Sequence, residues 1–181
     1  MTKKVFAALL TAAFLFSGCT DDSAATYDNS TKTAQASSVA KTVPNVSAKT
    51  IKGEPVTKEI FAAKKITVVN IWGTFCPPCI AEMPELGEMA RSMPAGAQII
   101  GLVCDASEQS QQIQKALQIT KEAGADFVNI VPDENLMKFM ENVEAVPTTI
   151  FVNSRGEVVG KAVIGANVGE YKSELARLLN E

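Results

Sequence analysis

Residues 68–79 read Val68-Val69-Asn70-Ile71-Trp72-Gly73-Thr74-Phe75-Cys76-Pro77-Pro78-Cys79. The apolar, β-branched run before Gly73 predicts a buried strand, and the two cysteines that follow are spaced so that one helical turn can hold both. Pro77 suits the first position of a helix, because an N–H at that position would lack a helical partner in any case. We therefore predict a strand, a short turn and a helix that begins at or near Cys76.

A cysteine at the start of a helix ionises more readily than one elsewhere. The unpaired N–H groups and the positive end of the helix dipole stabilise the thiolate, which lowers the pKa of the thiol. The thiolate is the species that attacks in thiol–disulfide exchange. Cys79 lies one turn beyond Cys76, within disulfide reach. The local chemistry therefore predicts a redox dithiol.

A Cys-x-x-Cys pair is also half of many zinc sites. Structural zinc takes four ligands, normally cysteine or histidine. The chain has no histidine, only four cysteines and no second Cys-x-x-Cys pair, so we predict no metal site. An inert structural disulfide is the other alternative. The lack of histidine also excludes Ser–His–Asp, Cys–His and histidine–metal catalysis.

The composition is that of one globular domain with appendages. The chain has 181 residues, of which 46% are hydrophobic, and part of that apolar content belongs to the N-terminal segment. The formal net charge of −3 gives no basic surface, so nucleic acid is not an expected partner. We find no glycine-rich phosphate loop and no internal repeat.

The N-terminal residues have the pattern of a secretory signal. Two lysines precede an apolar core at residues 5–16, which is shorter than a helix that spans a bilayer requires. The core ends in Leu15-Phe16-Ser17-Gly18-Cys19, which resembles a bacterial lipobox, whose cysteine is diacylated and becomes the mature N-terminus. Phe16 stands where leucine is usual, and an ordinary cleaved signal is the alternative. Either reading of residues 1–19 predicts that the domain works outside the cytoplasm, where disulfide chemistry matters most.

Residues 20–41 are rich in Ser, Thr, Ala and Asp and show no apolar periodicity. Such a segment cannot bury enough apolar surface to offset the entropy of ordering, so we predict a flexible tether. A lipid-anchored domain needs a spacer of this kind to reach its partners above the lipid headgroups. Residues 42–181 are then the folded domain.

The folded domain alternates predicted strands and helices. After short extended segments from Val43, strands are expected at 66–72, 97–104, 127–131, 148–152 and 158–163, and helices at 78–93, 107–123, 133–143 and 168–179. The helix at 107–123 is expected to be capped by Ser107 and stopped at Gly124. The alternation predicts a parallel α/β core, and the last two strands, joined by the turn at 153–156, predict an antiparallel edge.

Cys104 ends the strand that is expected beside the central strand. Because the carboxyl ends of parallel strands meet at one edge of a sheet, Cys104 is expected at the edge that carries Cys76. A third thiol of the site is one hypothesis, and a small buried hydrophobic residue is the alternative.

Two motifs together resemble the thioredoxin superfamily: residues 72–79 and the later Ala145-Val146-Pro147-Thr148-Thr149. The nearer likeness is to TlpA/ResA-type membrane-anchored thiol–disulfide oxidoreductases, and it covers roughly Pro44 to the C-terminus. Residues 82–86 and 150–156 also resemble that family. The resemblance implies a thioredoxin-like α/β fold, with a central mixed β-sheet flanked by helices, an N-terminal extension and a central helical insertion at 107–123.

The resemblance also implies the roles of the cysteines. Cys76 would be the nucleophile that forms a mixed disulfide with a client, and Cys79 the resolving thiol. The redox-active Cys76–Cys79 disulfide would be the only redox group, without a cofactor.

A substrate-binding set follows from the same resemblance. Pro147 would be a cis-proline that faces the dithiol, and the backbone beside it, at Val146, would pair with an extended client. Pro77 and Pro78 lie between the cysteines and are expected at the client surface. Trp72 is expected to form a platform beside the dithiol, with plain core packing as the alternative.

Glu82 is the candidate for the proton of Cys79. Cytoplasmic thioredoxin has a buried acid six residues before its first cysteine, where this chain has Asn70, so another group must handle that proton. Glu82 lies three residues beyond Cys79 and can share its helix face. Partial burial would raise the pKa of the carboxyl group and allow it to accept the proton. A solvated helix glutamate is the alternative.

The residues and the resemblance together predict an extracytoplasmic protein-disulfide reductase, lipid-anchored to the bacterial cell membrane through Cys19. Expected clients are oxidised exported proteins, such as apocytochrome c or a methionine sulfoxide reductase. The expected electron donor is a membrane thiol protein of the CcdA/DsbD type, and the protein is expected to be a monomer.

Other functions are kept as alternatives. A disulfide-forming oxidase comes first, because the reduction potential sets the direction of exchange. A thiol peroxidase of the peroxiredoxin type is less favoured, since the Pro-x-x-x-Thr/Ser-x-x-Cys pattern is missing. A non-enzymatic anchored binding module would leave the intact cysteine pair without a purpose.

Overall fold

A computed structural model describes residues 40–181 of the chain. The predicted signal segment with Cys19, and residues 20–39 of the predicted tether, lie outside the described residues. Lys41, the last residue of that tether, already accepts a hydrogen bond from the Val158 N–H at 2.8 Å. No helix in residues 40–181 combines the length and apolar character needed to cross a bilayer.

The strands of the described part form one mixed sheet in the order β2-β1-β5-β4-β3-β6-β7. Strands β3, β4 and β5 are parallel, and the remaining pairings are antiparallel. This confirms the predicted parallel core with an antiparallel edge, and the β1–β2 hairpin extends the other edge. The bounds are β1 Ser47–Thr50, β2 Pro55–Thr57, β3 Ile66–Trp72, β4 Ala97–Val103, β5 Val128–Val131, β6 Thr148–Asn153 and β7 Val158–Ile164.

Helices cover both faces of the sheet, which explains why every residue of β3 is buried. Val68 and Trp72 of β3 share a cluster with α1 and α4, whereas Val69 and Ile71 pack with α3 and a short 3₁₀ helix. The helix bounds are α1 Pro77–Arg91, α2 Gln111–Glu122, α3 Glu134–Phe139 and α4 Val168–Leu179, and the 3₁₀ helix is Lys58–Ala62.

The predicted start of the second helix is wrong. Helix α2 begins at Gln111 with Ser110 as its N-cap, not at Ser107. Ser107 and Ser110 instead close a turn in which the Ser110 N–H donates to the Ser107 carbonyl at 3.0 Å. Gln109, at φ +68°, is left-handed and therefore interrupts any helix from Ser107. The predicted stop is confirmed, since Gly124 takes φ +61° directly after the helix ends.

A buried hydrogen bond crosses β4 at Gly101. The Trp72 indole N–H on β3 donates to Asn129 Oδ1 on β5 at 2.9 Å, although β4 lies between these strands. A Cβ atom at Gly101 would lie 2.0 Å from Asn129 Oδ1 and 2.9 Å from Trp72 Nε1. The missing side chain of Gly101 therefore leaves the space through which β3 and β5 are joined.

We expect Gly101→Ala to destabilise the protein by about 2–4 kcal/mol, because the added methyl group overpacks the site and separates a buried donor from its acceptor. Chemical denaturation measures this as a lower midpoint with an unchanged m-value. Gly169→Ala in α4 is the matched control, since a Cβ there meets only an ordinary contact at 3.6 Å. Equal stability of the two variants would contradict the role assigned to Gly101.

Candidate active site

The dithiol lies where β3 gives way to α1. Cys76 is the N-cap residue of α1 with extended backbone angles, and Pro77 is the first helical residue. The Cys79 N–H donates to Cys76 Sγ at 3.2 Å. This sulfur therefore receives one of the N–H groups that a helix start leaves unpaired, which is the environment predicted to favour a thiolate.

Cys76 and Cys79 form a disulfide, with their Cα atoms 5.3 Å apart. Cys79 has no exposed surface, whereas Cys76 retains 3%. Pro77 and Pro78 between them are both exposed. The exposed surface of the cysteine pair thus belongs to Cys76, which is the residue predicted to attack the client.

The loop before β6 faces the dithiol. The Val146–Pro147 peptide bond is cis, as the resemblance implies. The Val146 carbonyl oxygen lies 3.4 Å from Cys76 Sγ. The carbonyl oxygen of Pro147 accepts a hydrogen bond from the Gly165 N–H at 2.8 Å, which ties this loop to the end of β7. The structure thus brings the two predicted motifs together, 70 residues apart in sequence.

Glu82 is buried on the face of α1 that also carries Cys79, so the alternative of a solvated helix glutamate is wrong. Its Oε1 accepts from the Asn70 amide at 2.9 Å, and its Oε2 lies 3.0 Å from the Tyr171 hydroxyl. Burial raises the pKa of the Glu82 carboxyl above its ordinary value, and the hydrogen bonds from Asn70 and Tyr171 offset part of that increase. The partial burial and the raised pKa that the sequence predicts for Glu82 are therefore both present.

Trp72 does not form an exposed platform. Its side chain has no exposed surface, and its indole N–H is committed to Asn129. Because both faces of β3 are covered, a client at the surface cannot touch this residue. The alternative of core packing is therefore the correct one.

Cys104 lies beside the central strand as predicted, with its N–H donating to the Trp72 carbonyl at 2.8 Å. It is half-buried and forms no disulfide within the described residues. Burial, and to a lesser degree the neighbouring Asp105, raise the pKa of the Cys104 thiol to about 11. A thiol shifted in this direction is a poor nucleophile near neutral pH, which favours the structural alternative.

Sequence reasoning missed two residues of the site. The Asp105 carboxylate accepts from the Thr74 N–H at 3.0 Å and from the Thr74 hydroxyl at 2.6 Å, and so fixes the turn that leads to Cys76. Its position directly after a parallel strand was an available signal. The second is Tyr171, whose contact with Glu82 joins residues 89 apart and has no local signature in the sequence.

Several curated relatives match the chain in sequence. Thiol-disulfide oxidoreductase ResA of Halalkalibacterium halodurans is 33% identical over 93 residues, which are 50% of this chain and 49% of the relative. Thiol:disulfide interchange protein DsbE of Haemophilus influenzae is 28% identical over 103 residues, 56% of this chain and 52% of the relative. The chain therefore spans about half the length of each of these two relatives.

The fold is that of solved thioredoxin-like proteins. The crystal structure of StoA from Bacillus subtilis superposes with a TM-score of 0.58 at 20% identity, covering 74% of this chain and 97% of that one. This confirms the predicted thioredoxin-like α/β fold. The AhpC/TSA family model matches residues 39–161. The chain therefore belongs to the AhpC/TSA family, and its relatives support the predicted thioredoxin-like TlpA/ResA type.

Proposed function

We propose that this protein is an extracytoplasmic thiol–disulfide oxidoreductase that reduces disulfides of exported proteins through Cys76 and Cys79. The observation that carries the proposal is the placement of the pair: Cys76 caps a helix, receives the Cys79 N–H and faces the Val146 carbonyl. Relatives named as thiol-disulfide oxidoreductase and thiol:disulfide interchange protein support the same chemistry.

The proposed reaction has two exchanges. The Cys76 thiolate attacks one sulfur of the client disulfide, the other client sulfur leaves as a thiolate that takes a proton from water, and a mixed disulfide forms. Cys79 then gives its proton to Glu82 and attacks Cys76 Sγ, which releases the second client thiolate to be protonated in turn. The client gains two electrons and two protons, and the protein ends with the Cys76–Cys79 disulfide.

Exposed apolar side chains near the dithiol suit a peptide client. Phe75 precedes Cys76 and is 67% exposed, and Ile80 in the first turn of α1 is 38% exposed. Ile164, opposite Thr148 in the β6–β7 pairing, is 50% exposed. We propose that an extended client segment pairs with the backbone at Val146 and places apolar side chains on this surface.

The cellular setting is proposed from the N-terminal sequence. Lipidation of Cys19 would hold the domain at the bacterial membrane, with residues 20–41 as its tether. The proposed clients are apocytochrome c or a methionine sulfoxide reductase, and a membrane thiol protein of the CcdA/DsbD type would return electrons to the dithiol. The domain would act as a monomer.

Cys79→Ala tests the proposal, because without the resolving thiol the first exchange cannot proceed to the second. We expect the reduced variant to accumulate a covalent adduct with an oxidised Cys-x-x-Cys-His peptide, resolved on a non-reducing gel and by mass. Adding Cys104→Ala should leave the adduct intact, whereas adding Cys76→Ser should eliminate it. An adduct that requires Cys104 and not Cys76 would overturn the assignment.

The reduction potential decides between a reductase and the oxidase alternative. Equilibration with glutathione should give a value at or below the thioredoxin-like end of the range, about −270 mV. A value near the strongly oxidising end, about −120 mV, would reverse the direction of the reaction while leaving the adduct experiment unchanged.

A further inference from the structure

The Tyr171 hydroxyl lies between two acceptors. It is 3.0 Å from Glu82 Oε2 and 2.7 Å from the Gly165 carbonyl oxygen. The Asn167 N–H approaches the same hydroxyl oxygen as a donor at 3.3 Å. A phenol has a single proton to donate, so it cannot donate to Glu82 and to Gly165 at once.

The hydrogen bonds among Glu82, Tyr171 and Gly165 have two possible arrangements, which differ in the protonation of Glu82. When Glu82 is ionised, the Tyr171 hydroxyl donates to the carboxylate, and the Gly165 carbonyl loses this donor. When Glu82 is protonated, the carboxyl O–H donates to the tyrosine oxygen, and the tyrosine O–H is free to donate to Gly165. Only the second arrangement makes both short contacts hydrogen bonds at the same time.

Both carboxyl oxygens of Glu82 lead to the loop that faces the dithiol. On the Oε2 side, Tyr171 contacts Gly165, whose N–H donates to the Pro147 carbonyl. On the Oε1 side, the Asn70 amide bridges Glu82 and Thr149 Oγ1, the latter at 3.1 Å. Hydrogen bonds therefore connect Glu82 on both sides to the segment from Pro147 to Thr149.

Few titratable groups act on this carboxyl group. From α1, the charge of Glu85 is the smallest of the causes that act on the pKa of Glu82, and it raises that pKa. Glu85 itself pairs with Lys172 of α4 at 3.3 Å. Tyr171 is the titratable side chain of α4 that contacts the Glu82 carboxyl group. Burial raises the pKa of Tyr171 to about 12, so it stays protonated at neutral pH. The sheet contributes the neutral side chains of Asn70 and Thr149.

We propose that Tyr171 is a positioning residue whose hydroxyl turns from Glu82 to Gly165 when Glu82 takes up a proton, and thereby couples proton transfer at the dithiol to the client-binding loop at Pro147. This deepens the proposed function, on which it rests, since the proton that reaches Glu82 is the one released by Cys79. The turn of the hydroxyl breaks no covalent bond. It replaces the hydrogen bond to the carboxylate with one to a backbone carbonyl, at the step in which the client is released.

The experiment is a pH titration of the oxidised full chain by NMR, which follows the ¹³C-labelled Glu82 carboxyl and the ¹⁵N amide of Gly165. We expect both signals to titrate with the same midpoint in the wild type. In Tyr171→Phe the Glu82 midpoint should rise, because the ionised carboxylate loses a donor. The pH-dependent shift of the Gly165 amide should fall to less than half.

Thr120→Val is the matched control, because it removes a buried hydroxyl that donates only within its own helix. It should leave both signals as in the wild type. In Glu82→Gln the Gly165 amide should cease to titrate in this range. The proposal is overturned if Tyr171→Phe leaves the Glu82 midpoint unchanged, or if the Gly165 amide keeps its full shift in Tyr171→Phe or in Glu82→Gln. Because no client is present, these outcomes are independent of the Cys79→Ala adduct experiment.

Discussion

Replacing Cys76 with serine is expected to reduce disulfide exchange to the uncatalysed level. A serine hydroxyl does not ionise near neutral pH and cannot form the mixed disulfide, so neither exchange can begin. Removal of a catalytic nucleophile costs roughly 10³-fold or more in rate. The measurement is the reduction of a fluorescent disulfide peptide by the reduced protein, with dithiothreitol as the background reductant.

Cys104→Ser is the matched control, because it makes the same atomic change in a half-buried thiol whose pKa is raised by burial. It should retain wild-type activity. Two results would contradict the assignment: comparable losses in both variants, or a Cys76 thiol in the reduced protein that titrates like free cysteine, with a pKa of about 8.5.

Replacing Glu82 with glutamine is expected to slow the resolving step by about 10²- to 10⁴-fold, the usual contribution of a general base. The initial attack by Cys76 should be unaffected, so the mixed disulfide should form at the wild-type rate and then decay slowly. Since burial raises the pKa of Glu82, its base form is populated only above that raised value. The wild-type rate of decay should therefore rise with pH through this region, and the glutamine variant should lack the rise. Single-turnover decay of the mixed disulfide, measured across pH, tests both expectations.

Glu85→Gln is the control for this variant, because Glu85 is a 53% exposed glutamate on the same helix. It should decay at the wild-type rate. If Glu82→Gln shows the same rate and the same pH profile as Glu85→Gln, the carboxylate of Glu82 does not accept the proton of Cys79.

The stability of the oxidised protein gives a second readout of the same carboxyl group. Its pKa in the folded state is raised above the unfolded value, so the stability it contributes is present below the unfolded pKa and is lost as pH rises through the folded pKa. The wild type should therefore become less stable as the pH rises from acidic to neutral, and Glu82→Gln should not show this decrease. Denaturant midpoints across that range measure the difference.

Much of the fold follows from local patterns. The run at 66–72 predicts a strand because it is mostly apolar and rich in β-branched residues. Cys76-Pro77 predicts a helix start because a proline fits there without losing a hydrogen bond. The exact start of a helix is harder to predict where two similar residues could cap it. Ser107 and Ser110 are both good N-cap residues, and only the left-handed backbone of Gln109 shows that the helix begins after Ser110.

The chemistry of the site is harder to predict from local sequence patterns. The position of Glu82 beyond Cys79 predicts a shared helix face, but its two hydrogen-bond partners come from β3 and α4, at distances along the chain that no motif encodes. Trp72 shows the opposite error. The resemblance implies a platform beside the dithiol, yet helices cover both faces of β3, so Trp72 is buried whichever face its side chain is on.

The hydrogen bonds between Asp105 and Thr74 make the position of the Cys76 sulfur depend on how β3 and β4 are aligned. Strands β3 and β4 run parallel with Trp72 opposite Val103, and this alignment is what sets Asp105 against the turn before Cys76. A misfolded chain with β4 slipped by one residue would carry Asp105 about 3.3 Å away and turn alternate side chains to the opposite face. Such a molecule would keep both cysteines and most of its secondary structure, yet the turn that presents the sulfur would be unanchored. Correct pairing of two strands is thus a precondition for redox competence.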